Sequence, residues 1–125
     1  MSKNSQDIHG FAISCDENGI IKETLKDDFG IIPKQEDGKL FVTLVDRENR
    51  SKAMRFLADV QAENAAFDYQ MNIITEKQPQ AFSFIGLFIN NHFLIIGAGN
   101  HQEAIDFTDF LQEVNNEQAN MIRKL

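Results

Sequence analysis

Hydrophobic and polar positions fall into two rhythms along this chain. Near the start, Phe11, Ile13 and Cys15 alternate with small or polar residues, and "DENG" (16–19) follows as a turn in which Gly19 is free to take positive φ. Ile20, Ile21 and Leu25 begin the return strand, so 11–25 reads as a β-hairpin. In "FDYQMNIIT" (67–75), strict alternation puts Phe67, Tyr69, Met71, Ile73 and Thr75 on one side. "QPQ" (78–80) breaks the chain, and "AFSFIGLFI" (81–89) and "HFLIIGA" (92–98) flank "NN" (90–91). Asn tolerates positive φ, so a two-residue hairpin turn is expected there. Both flanking strands are apolar on both faces. At least one must therefore be central and covered on both sides, or must meet another chain.

The second rhythm is helical. Ala53, Phe56, Leu57 and Val60 share one face at 3.6-residue spacing, with Asp46 or Asn49 available to cap the start. From 101 to 125, Ala104, Phe107, Leu111, Val114, Gln118, Met121 and Leu125 follow a 3–4 spacing. That is a heptad seam with one polar position, Gln118, which favours one register at some cost in stability. Such a helix can pack on its own domain, but the spacing suits pairing with a second copy. The seam does not stop before the chain does, so continuation of the native chain past Leu125 is left open. Residues 26–40, with Gly30, Pro33 and Gly38, read as loop with short helical turns. Two strands, a helical middle, three strands and a terminal helix, joined by hairpins, make an antiparallel α+β domain.

Composition narrows the function classes. The 125 residues include 12 basic and 19 acidic side chains, a net charge of −7, and no basic cluster tracks a phosphate backbone. Nucleic-acid binding is not expected. No apolar stretch is long enough to span a bilayer, "MSKNSQDIHG" is not a signal peptide, and the single Cys15 allows no internal disulfide. A cytoplasmic location fits. Eleven Phe against one Tyr and no Trp imply a soft interior with few polar handles.

Candidate chemistry is sparse. "FLIIGAGNHQEA" (93–104) begins like a dinucleotide turn, but Gln102 stands where the third Gly belongs, and no second strand follows to complete a βαβ unit. Gly97 and Gly99 are instead expected to relax the chain as a hinge between strand and helix. His9, His92 and His101 have no metal-site spacing, no nucleophile elbow exists, and the carboxylates are scattered. No catalytic residue or metal site is assigned, and an enzyme is not expected. Facing apolar residues Phe56, Leu57, Val60, Tyr69, Met71, Phe84 and Phe88 form a core, or the lining of a small apolar pocket.

The hairpin "FAISCDENGIIKET", the helix "RSKAMRFLADVQ", the strands "FDYQMNIIT", "FSFIGLFI" and "HFLIIGAG", and the exit helix with "NNEQANMIRKL" resemble a PAS domain over about residues 8–125. "NNEQANMIRKL" is similar to the junction helices that lead from PAS domains into histidine kinases and other bacterial output modules. The resemblance implies a five-stranded antiparallel sheet of order 2-1-5-4-3, helices on one face, and a C-terminal coiled-coil-type helix. It puts the family's helix at 50–63 and its last strand at 92–98. Implied with it are a disordered 1–7, a sensory domain 8–100 that takes a small molecule between sheet and helices, and a signalling and dimerisation helix 101–125. A homodimer, a small apolar ligand and a downstream output domain are the implied partners, without membrane insertion. The flavin-binding motif with its reactive Cys is missing, and 47–64 holds no His, so neither a flavin–thiol adduct nor haem is supported and the cofactor is unknown. The alternative is a non-sensing adaptor of another small α+β fold, such as a roadblock- or profilin-like module.

Overall fold

The computed structural model describes residues 9–31, 38–74 and 78–124, with 113–124 described as helical backbone only. The expected disordered 1–7 and Leu125 lie outside the described residues. So do the side chains of Val114, Gln118 and Met121.

Antiparallel pairing of consecutive strands organises the chain. Strand β1 (Phe11–Cys15) turns into β2 (Ile21–Asp27). At the turn, the Asp16 carboxylate accepts the backbone N–H groups of Asn18 (2.9 Å) and Ile20 (3.0 Å), while Gly19 sits at φ 80°. A carboxylate that closes its own turn frees the next residues to reverse direction. Short 3-10 turns at Phe41–Thr43 and Arg47–Asn49 lead to helix α1 (Arg50–Glu63). Asp46 accepts the Asn49 N–H at 3.0 Å and so heads the second of these turns, whereas Asn49, at the start of α1, makes no side-chain cap bond. Asn64 then takes a left-handed φ of 67° and ends the helix.

Strands β3 (Ala65–Ile74), β4 (Pro79–Ile89) and β5 (His92–Ala98) follow, and then helix α2 (His101–Lys124). Asn90 and Asn91 both have positive φ, 53° and 63°, as a type I′ hairpin turn requires. Every pairing is antiparallel, and the sheet order is β2-β1-β5-β4-β3.

The double-sided apolarity of β4 and β5 is used in full. On one face Phe11, Ile13, Phe82, Phe84, Phe93 and Ile95 join α1 in the main core. On the other, Ala12, Ile85, Ile96 and Ala98 pack beneath Ala104 and Phe107 of α2. Alternation along each strand divides these two sets, so a single sheet carries two apolar layers.

β3 departs from the straight alternation expected of it. Ala66 pairs with Gly86, but Tyr69 pairs with Phe84, so Phe67 and Asp68 together oppose one residue. This is a β-bulge, with Asp68 at φ 62°. Ala66 takes the inward place and Phe67 is left 57% exposed, while Met71 and Ile73 keep their buried side. Thr75 lies outside the described residues.

Candidate ligand cleft and exit helix

The seven residues predicted to face one another across the interior do gather in one place. Phe56, Val60, Met71 and Phe84 are buried in the main core, and Leu57, Tyr69 and Phe88 are partly buried against it. Ring contacts tie them together: Phe56 lies 5.0 Å from Tyr69 and 6.1 Å from Phe84, and Phe41 lies 5.9 Å from Phe84. Such separations are those of packed, tilted aromatic pairs. Gly86 shows how tightly α1 is seated, since a Cβ there would lie 2.6 Å from Val60 Cγ2 and 2.7 Å from Phe56 Cζ.

Space opens at one flank of this core. A cleft of about 360 Å³ is lined by Glu17, Asn18 and Gly19 of the first turn, Leu40 and Val42, Met54, Leu57, Ala58 and Gln61 of α1, and Phe93 of β5. Of the seven predicted residues, the cleft uses Leu57 alone; the remaining lining is supplied by the first turn, the 40–42 segment, an outer row of α1 and Phe93 of β5. Sequence reading missed that row because Met54, Ala58 and Gln61 do not belong to the periodic apolar face, and Met54 is 63% exposed. A volume of this size falls at the lower end of small-molecule sites.

Polar groups around the core are held rather than free to react. The Tyr69 hydroxyl donates to the Asp59 carboxylate, linking β3 to α1. That bond, aided by partial desolvation, raises the phenol above its ordinary pKa. The Asn49 side chain, and then the Asn72 side chain and the Asn49 N–H, hold the Asp46 carboxyl below the usual carboxylate range. The Ile20 N–H, followed by the Asn18 N–H and Lys22, does the same for Asp16. Burial, then the negative charge of Asp16, pushes the Cys15 thiol up to about 12, which leaves it without nucleophilic character near neutral pH. Among the described residues, no three His, Cys, Asp or Glu side chains gather where they could hold a metal ion. No described helix is long and apolar enough to cross a membrane.

On the opposite face, α2 begins at a side-chain cap. Asn100 Oδ1 accepts the Glu103 N–H at 2.9 Å. Ala104 and Phe107 are fully buried against the sheet and Leu111 packs beside them, so the first positions of the heptad seam are spent on the chain's own domain. Lys26 of β2 lies 5.3 Å from the Phe107 ring centroid and 5.2 Å from that of Phe110, while 3.5 Å from Asp28. His101 Nδ1 sits 3.6 Å from the Asp68 carboxylate on the β3 bulge, a contact no local pattern announced.

The predicted hinge pair separates. Gly97 is a ladder residue inside β5, opposite Phe11 on one side and Phe84 on the other. A Cβ there would come within 2.2 Å of the Phe11 ring, so Gly97 makes room for that ring. Gly99 lies between β5 and α2, without a left-handed φ.

No protein-family model matches the sequence, and a search of curated proteins finds no match. Solved structures do match. The PAS domain of the RpfR quorum-sensing receptor of Cronobacter turicensis, in complex with BDSF, superposes with a TM-score of 0.61 at 17% identity, over 78% of this chain and 96% of that one. The same domain in complex with C12:0 gives the same values. The photoactive yellow protein domain of the sensor histidine kinase Ppr from Rhodospirillum centenum gives a TM-score of 0.54 at 16% identity, over 70% of this chain and 89% of that one. The chain has the fold of a PAS domain.

Proposed function

We propose that this chain is a sensory and dimerisation module of a bacterial signalling protein. A small apolar ligand or partner seated at the cleft changes how α1 packs on the sheet. Helix α2, packed on the reverse face of the same sheet, carries that change to an output domain such as a histidine kinase in the cytoplasm. The observation that carries this reading is the shared β4–β5 layer. Phe84 and Phe93 meet the α1 side, while Ile85 and Ile96 meet α2, so one pair of strands touches both the ligand end and the exit helix. The likeness to a PAS fold solved with BDSF and C12:0 supports an apolar ligand. A sensor of this kind works only if the ligand has different affinities for two packings. The module itself is taken as non-catalytic, and no cofactor is assigned to it.

Native mass spectrometry tests the reading. A small molecule retained by protein purified without denaturation, and released on denaturation, is the expected result. A bare mass, with no thermal shift across a metabolite panel, would sink it.

One observation favours a second reading, a non-sensing adaptor. The space between sheet and α1 is filled by the rings of Phe11, Phe41, Phe56 and Phe84, and the cleft lies at its flank. An adaptor would show the bare mass and still form the dimer.

A further inference from the structure

The cleft has an electrical sign. Its walls are apolar, from Leu40, Val42, Met54, Leu57 and Phe93, and its polar rim comprises Glu17, Asn18 and Gln61. Glu17 is the one charged residue of the lining, and neither Lys nor Arg is among the ten lining residues. On the adjoining strand β2, Lys22 Nζ lies 3.7 Å from the Asp16 carboxylate. The whole chain carries −7. A free carboxylate head emerging from this cleft would therefore meet a like charge and a negative background field, with no cation in the lining to receive it. The two side-chain amides offer hydrogen bonds of either polarity and do not offset that sign.

Building on the sensor reading above, we propose that the cleft takes a medium-length alkyl chain bearing a positively charged head, and selects against an anionic one. The alkyl chain lies along Met54, Leu57 and Phe93, and the ammonium group meets Glu17 at the rim. Because Glu17 is exposed, its pairing is worth a few-fold in affinity, and its repulsion of a carboxylate costs a similar factor. Together these separate the two heads by about tenfold.

The test compares decylammonium, decanol and decanoate, each below its micellar concentration at neutral pH and low salt. Binding is followed by the methyl resonances of Met54 and Leu57. Decylammonium is expected to bind about tenfold more tightly than decanoate, with decanol between them. Glu17→Gln and, independently, molar salt are each expected to shrink that ratio to about twofold or less. If decanoate moves the same methyl signals at equal or lower concentration, the head-group assignment fails while the sensor reading stands. A ratio unchanged in Glu17→Gln also overturns the assignment. If none of the three probes moves Met54 and Leu57, the assignment falls, while the sensor reading is decided separately by the native mass.

Discussion

At the scale of single residues, glycines in this sheet mark where rings lie. Gly97 looked like a joint because a pattern read along the chain sees only its neighbours, Ile96 and Ala98. The cause of its smallness is Phe11, a ring contributed from another strand across the ladder. Gly97→Ala is expected to lower stability by about 1–3 kcal/mol through overpacking, measured by urea denaturation. Phe11→Leu in the same chain should recover part of that loss, whereas a hinge role would give no such recovery. The carboxylates make a pH prediction. Asp46 is held below its ordinary value of 3.8 by the Asn49 and Asn72 side chains, so folding favours its ionised form. Its contribution is fully present above the unfolded value, and is lost as pH falls through the lower, folded one. Asp46→Asn should therefore reduce the denaturation midpoint by a constant amount near neutrality. The gap from the parent protein should close as the solution is acidified below about pH 4. A gap that widens in acid would reverse the sign assigned here.

At the scale of elements, the hairpins and α1 were legible because their signals are local. Alternation, the Asn-Asn turn and one periodic face fixed β1, β2, β4, β5 and α1 close to their observed bounds. The β3 bulge was not legible, since "FDYQMNIIT" alternates without interruption and the extra residue is imposed by pairing with β4. Of the predicted pocket residues the cleft uses Leu57 alone, because much of its remaining wall comes from exposed positions such as Met54, Ala58 and Gln61 that no periodicity selects. Helix α2 divides by what it touches. Its first three turns are anchored by Phe107, and Phe107→Ala is expected to cost about 3–5 kcal/mol in chemical denaturation. Met121 lies beyond that anchor on the sequence seam. Under the proposed homodimer, Met121→Asp is expected to halve the molar mass measured by light scattering and to remove any dependence of the denaturation midpoint on protein concentration. An unchanged mass would remove the distal seam from the proposed dimer interface.

At the scale of the whole molecule, the sheet is a partition with apolar layers on both sides, and β4 and β5 contribute to both layers. The bond between Tyr69 and Asp59 crosses from β3 to α1 beside the same core. Its consequence is optical. With one Tyr and no Trp in the chain, absorption and emission beyond the phenylalanine bands come from that single phenol. A carboxylate acceptor quenches tyrosine emission, so the folded protein should be dim and should brighten when α1 moves away from β3. The molecule thus carries its own fluorophore at the contact a bound ligand would be expected to disturb, and a titration can be followed without a label.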